Sequence, residues 1–345
     1  MKHVIIRIAS LLSVAALLTG CYGEIGPVSP AGQIDFMAGM MLMDDGTRTA
    51  TLMTADSIPR TFSVFSLLND RGATPVFDGT TVTYNSVYDS WSYPGGKGWE
   101  WSRPTDRYDF IAVSPASAGA IRWIDAPGRL TARTDYDVSS DNYDLMASMY
   151  TRSATDPDRL GAVHFAFRHM LSAVRVDITN ISSDKSLTLH SYQFKNVVVS
   201  ATLKANYTAA GKESYLWVNS ERSSTAVRRE DPPAGTHNPC DPGDALEGSG
   251  FNLFIPQQLD DSEDVPVLEF MYTPENAAKP DTVSVELPEI KRSSDDTPIT
   301  EWQMGVKYIY EIRIRLDGGV EINVKTVDWN KEVYETPGII IPVED

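Results

Sequence analysis

The sharpest pattern in the chain is an alternation of period two near its C-terminal end. In VKYIYEIRIRLDGGVEINVKTVDW (306–329), Val306, Tyr308, Tyr310, Ile312, Ile314 and Leu316 share one face. Lys307, Glu311, Arg313 and Arg315 take the other. That spacing belongs to a half-buried strand. DGG (317–319) supplies turn glycines, and Val320, Ile322 and Val324 then resume the alternation, so a hairpin is expected. Ser172, Val174, Val176 and Ile178 alternate in the same way, as do Phe251, Leu253 and Ile255. The first half carries shorter strand-like runs: TFSVFSLL (61–68), TPVFDGTTVTYN (74–85) and YDFIAVSP (108–115). Glycine, proline, asparagine and aspartate punctuate them. IDFMAGMMLM (34–43) is extended enough for a strand, and DDGTRTATLMTADSIPR (44–60) reads as an exposed loop. Past residue 20 no stretch keeps a helical period with caps. The expected fold class is therefore all-β, an antiparallel sandwich rather than a helix–strand alternation.

The N-terminus follows a different rule. Lys2 and Arg7 precede the apolar run IASLLSVAALL, and small residues close it. This is a secretory signal at 1–20, too short for a permanent membrane span. Residues 21–33 form a polar tether rich in glycine and proline. The length of the chain, 345 residues, favours two domains. The polar stretch SATDPDRLG (153–161) places the boundary, giving an N-terminal domain at 34–158 and a C-terminal domain at 159–345. Residues 219–250 read as a long polar loop inside the second.

Charge narrows the partners. The formal net charge is −17, and no Lys/Arg cluster exceeds VRRE (227–230). Nucleic acid, whose phosphates demand basic surfaces, is not an expected partner. Motifs for chemistry are sparse. There is no HExxH, no GxSxG and no Gly-rich phosphate loop. No metal, cofactor or enzymatic activity is expected. His164 and His169 lie five apart and point to opposite faces of a regular strand, as structural residues. DVSSDNYD (137–144) and DDSEDVP (260–266) are acidic but lack the EF-hand spacing and read as solvated loops. Cys240, in THNPCDPGD, reads as a loop cysteine without a catalytic role. Trp91, Tyr93, Trp99 and Trp101 cluster in WSYPGGKGWEW. They suit packing between two strands, with sugar stacking on a surface adhesin as the alternative.

LTGC (18–21) closes the signal and resembles the lipobox of bacterial lipoproteins, which implies acylation at Cys21 and carriage to the outer membrane on the lipid. Other pieces follow in order: IDFMAG with TRTA behind it, FSVFSLL, WSYPGGKGWEW ahead of YDFIAVSP, VHFAFRHMLSAVRVDI, LFIPQ and WQMGVKYIYEIRI…VDW. Together they make the chain similar to the fimbrillin-like proteins of Bacteroidetes, subunits of type V pili. The resemblance covers most of the chain beyond the signal. It implies two transthyretin-like β-sandwiches in series and a place in a fimbrium at the cell surface, serving adhesion.

The resemblance also implies a mechanism. An arginine-specific protease removes the first strand, and another pilin subunit's C-terminal strand fills the groove. On this sequence the leaving strand is about 34–43, with Ile34, Phe36, Met40 and Leu42 as pocket fillers. The cut follows Arg48, with Arg60 as the alternative because it adjoins the next strand. Ile339, Ile340, Ile341 and Val343 form the donor. The physical logic is general: a sandwich missing a strand exposes apolar core and unpaired backbone, and a donated strand satisfies both. Family-linked O-glycosylation would fall on DSI (56–58) or DTV (281–283). The competing reading is a lipid-anchored surface binding protein, for glycans, that never polymerises and keeps Arg48 uncut.

Overall fold

The computed structural model describes residues 34–44, 47–51, 60–68, 74–94, 100–101, 107–123, 129–153, 161–208, 211–230, 239–246, 250–260, 264–316 and 319–329. Among these residues every regular element is a strand, apart from two 3-10 turns at Ala116–Ala118 and Leu287–Glu289. The first ten strands are β1 (Phe36–Asp44), β2 (Thr47–Thr51), β3 (Thr61–Leu68), β4 (Thr74–Asn85), β5 (Ser90–Ser92), β6 (Tyr108–Ser114), β7 (Ile121–Trp123), β8 (Thr131–Asp137), β9 (Met146–Arg152) and β10 (Val163–His169). Next come β11 (Ser172–Asn180), β12 (Leu187–Lys195), β13 (Val197–Tyr207), β14 (Glu213–Ser223), β15 (Val227–Glu230), β16 (Ala245–Leu246) and β17 (Asn252–Phe254). The last are β18 (Gln257–Gln258), β19 (Val267–Pro274), β20 (Asp281–Glu286), β21 (Lys291–Arg292), β22 (Glu301–Trp302), β23 (Val306–Arg315) and β24 (Gly319–Asp328).

An eight-stranded sheet runs in the order β2-β1-β10-β9-β6-β3-β4-β5. It is covered on both faces, so β6 is buried at all seven positions and β3 at seven of eight. Continuous apolar runs such as YDFIAVS are the sequence trace of such double burial. One face carries Phe65, Leu67, Ile111 and Val113 into the same core as Leu130, Ala132, Leu203 and Ala205. Those four come from the sheet β14-β13-β8-β7 and the residue before it. The other face gathers Phe62, Phe77, Phe110, Phe165 and Phe167 into a separate aromatic core. The sheet curls around that core until its two ends meet: Tyr93, just past β5, donates its hydroxyl to the Ile34 carbonyl at 2.9 Å.

Beyond β10 a six-stranded sheet of β16, β11, β23, β24 and β21, with β17 also on β11, faces the sheet β15-β12-β19-β20. Phe194 of β12 meets Phe254 and Trp302 at ring separations of 5.1 and 5.8 Å across that core. Tyr310 receives a hydrogen bond from Trp302 Nε1 at 2.9 Å. The alternation expected for 306–316 is present: Tyr308, Tyr310, Ile312 and Ile314 are buried, while Glu311, Arg313 and Arg315 are exposed. Lys307 departs from it, being buried with its ammonium 4.9 Å from the Phe251 ring.

Several expectations need correction. The pairing is not wholly antiparallel, since β1–β10, β11–β23 and β21–β24 run parallel. Residues 44–60 are not all loop: TRTAT forms β2 against β1. The stretch 219–250 is not one loop either, because β14 reaches Ser223 and β15 follows at 227–230. Both segments are polar in sequence, and backbone pairing with β1, β13 and β12 places them in sheets. The division at 158/159 does not separate the sheets. β10 joins the first sheet, and β13 pairs with β8. A left-handed Asn196 (φ 57°) between β12 and β13 turns the chain from one sheet into the other.

Candidate functional site

The seat of β1 is the most distinctive feature of the fold. Ile34, Phe36 and Ala38 alternate into the aromatic core with at most 4% of their surface exposed. The Phe36 ring stacks on Phe165 at 5.7 Å and 18°. It stands edge-on to Phe62, Phe77, Tyr93 and Phe110 at 6.3, 5.3, 5.6 and 6.4 Å. Edge-to-face and offset contacts of this kind suit the ring quadrupoles. The side chains of Met40, Leu42 and Arg48 lie outside the described residues, although all three fall on the β1–β2 hairpin.

That hairpin hangs from the sheet by one ladder. Among the described residues β2 pairs with β1 alone, and β1 pairs with β10 over Phe36–Met40 opposite Val163–Phe167. On its other side β10 pairs with β9 only at Arg168 and His169. Val163–Phe167 therefore have β1 as their ladder partner. Where β9 and β10 diverge, Arg152 fills the space between them. Its guanidinium donates to the carbonyls of Gly161 and Ala162 at 3.1 and 2.9 Å and to the Tyr150 hydroxyl at 3.2 Å. It also lies 4.8 Å over the Trp101 ring, a cation–π contact. Arg152 is 3% exposed, so this charge is held by directed bonds inside the protein.

The candidate cleavage residues are placed differently from each other. Arg48 sits in β2 opposite Met43, not in an open loop. Arg60 is exposed just before β3, and its carbonyl accepts the Tyr84 N–H at 2.8 Å. Of the aromatic block, Trp91 and Tyr93 pack half-buried on the aromatic core and Trp101 is buried in it. Trp91 lies 4.9 Å from Phe62 and Trp101 4.9 Å from Tyr108. Trp101 is thus taken up by packing, while Trp91 and Tyr93 keep part of their surface open. Cys21, Trp99, Ile339, Ile340, Ile341 and Val343 lie outside the described residues, and so does the tripeptide 56–58.

The remaining chemistry is structural. His164 is exposed; His169 is buried, with Nδ1 2.7 Å from an Asp144 carboxylate oxygen and its ring stacked on Trp329 at 3.8 Å. Cys240, outside the regular strands, is fully buried: it bridges Leu187 through backbone bonds of 2.7 and 3.0 Å. Burial pushes its thiol pKa up, away from the thiolate that reactivity needs. The Ser139 hydroxyl and N–H hold the Asp137 carboxyl below its ordinary range. Among the described residues no group of three or more His, Cys, Asp or Glu is placed to hold a metal ion. Sequence reasoning missed Ala38, the Tyr93–Ile34 bond and Arg152. Only the spacing of Ile34, Phe36 and Ala38 carried a readable signal for any of them.

The described residues thus form an all-β scaffold whose first strand fills an aromatic core. The fimbrillin-like family model matches residues 47–329, and the chain belongs to that family. Membership supports a fimbrial or adhesin-like role and a place at the cell surface. Among solved structures, a fimbrial protein from Bacteroides vulgatus aligns at TM-score 0.57 and 13% identity, over 86% of this chain and 99% of that one. A candidate cell adhesion protein from Bacteroides eggerthii aligns at 0.50 and 12%, over 88% and 98%. One from Parabacteroides distasonis aligns at 0.50 and 10%, over 89% and 100%. At these identities the likeness is one of fold. No curated protein sequence matches significantly.

Proposed function

We propose that this protein is a non-enzymatic structural subunit, stalk or tip, of a surface fimbrium that serves adhesion. It is exported as a lipoprotein acylated at Cys21 and reaches the outer membrane on that lipid. An arginine-specific protease cuts after Arg48 or Arg60, and β1 is exchanged for a strand donated by another pilin subunit. The two sandwiches in series are the eight-stranded sheet with its four-stranded cover and the six-stranded sheet with its own.

The observation that carries this reading is the attachment of β1. It fills the aromatic core through Ile34, Phe36 and Ala38, yet a single parallel ladder to β10 secures it. Its loss uncovers five aromatic rings and the free backbone of Val163–Phe167. Re-covering Ile34 and Phe36 positions alone recovers roughly 3–6 kcal/mol of apolar burial. Main-chain bonds to β10 add to it and fix the register. Either cut is expected to free β1, because among the described residues β2 pairs with no strand but β1. The family match begins at residue 47, just past the paired part of β1, which fits a mature chain lacking it. The resident strand blocks the donor, so cleavage is the switch.

Deleting residues 336–345 tests the donor. The expected product is a folded monomer that does not polymerise, read by light scattering beside a full-length control. Normal polymerisation of the truncated chain removes Ile339–Val343 from the account. An uncut monomer retaining acylated Cys21 at the cell surface would favour the lipid-anchored binding protein instead.

A further inference from the structure

The inward face of β1 is graded in size: aliphatic at Ile34, aromatic at Phe36, small at Ala38. The middle position is the most closely specified. Five aromatic rings from five separate parts of the sheet surround Phe36, one stacked on it and four edge-on. Phe165 offers its face at 18°, and Phe62, Phe77, Tyr93 and Phe110 meet Phe36 at 88°, 69°, 65° and 79°. Such a cage suits a planar ring with an electron-rich face and a positive edge. A branched aliphatic chain leaves part of the volume empty and forfeits those edge contacts. The Tyr93 hydroxyl further anchors the backbone at Ile34, two residues before the ring, which fixes the register in which a strand must enter.

The chain's own C-terminal segment does not match this gradient. GIIIPVED (338–345) contains no aromatic residue, so either alternate set presents isoleucine at the central position. Pro342 also lacks the N–H that a ladder position requires. We infer that the pocket vacated by Phe36 is a specificity pocket for an aromatic side chain. The natural occupant is then a strand donated by a different subunit, running parallel to β10 with phenylalanine or tyrosine at its centre, and not the tail of a second copy of this chain. The inference rests on the strand-exchange reading above.

The test uses full-length protein cut in place by an arginine-specific protease, so that β1 stays seated until displaced. Three fluorescent peptides compete for the groove: residues 34–43, the same peptide with Phe36→Ile, and residues 336–345. All changes lie on the peptides, so folding of the protein is not at stake. The 34–43 peptide is expected to bind roughly tenfold or more tightly than the other two. Equal affinity for the phenylalanine and isoleucine peptides, or tighter binding by 336–345, overturns the aromatic preference while leaving strand exchange intact. Failure of every peptide, 34–43 included, overturns strand exchange itself and this inference with it.

Discussion

Phe36→Ala removes a side chain in ring contact with five members of the aromatic core. Truncating a buried phenylalanine costs about 3–5 kcal/mol, through lost transfer energy and a cavity that rigid neighbours cannot close. The uncut chain is expected to lose stability of that order in urea denaturation. Trp123→Ala, at a ring 43% exposed on the short strand β7, is expected to change it by no more than about 1 kcal/mol. Equal effects would mean that Phe36 is not seated as described. At this scale much was legible in the sequence. The alternation in IDFMAG already set Ile34 and Phe36 on one side, and VHFAF did the same for Val163, Phe165 and Phe167. Nothing in the sequence joined those two segments. Their meeting depends on a curl that brings Tyr93 onto the Ile34 carbonyl, and a long-range hydrogen bond leaves no periodic trace.

Among the elements, β10 carries the edge that pairs with β1, and Arg152 is what ties its start to β9. The two strands share a ladder only at Arg168 and His169, while Arg152 spans the gap to Gly161 and Ala162. Arg152→Met keeps much of the stem and removes the donors. The expected cost is about 2–4 kcal/mol, for two carbonyls stripped of a buried charged partner. Amide exchange across 163–167 should quicken, because those residues then depend on β1 alone. Unchanged exchange there would show that β9 holds β10 without the arginine. The elements also show where reading by hydrophobic pattern fails. β2 is TRTAT and the far end of β14 is VNSERS, and neither has an apolar face to advertise. Each is a strand because a neighbour offers an unpaired backbone edge. The loop around Cys240 was legible from its prolines, but its burial was not: an isolated backbone bridge to Leu187 holds the residue inside.

For the whole molecule, the sequence announced an all-β fold through period-two runs, and the family resemblance agreed with it. The order of the sheets was not announced. A boundary drawn at a polar, proline-containing stretch assumes that neighbours in sequence stay neighbours in space. Here β10 returns to the first sheet and β13 crosses back onto β8, so segments on both sides of residue 158 build one sandwich. That interleaving gives the first sheet a second core, between β3, β6 and β9 on one side and β8 and β13 on the other, to which Ile34, Phe36 and Ala38 of the β1 segment do not contribute. On the proposed strand exchange, loss of β1 is expected to open the aromatic side and leave this second core in place.

The direct measurement is N-terminal sequencing, with intact mass, of the chain recovered from assembled surface polymer. A chain beginning at Thr49 or Thr61, free of lipid and of β1, is the predicted result. Polymer whose subunits still carry residues 34–44 on an uncut chain would contradict the account.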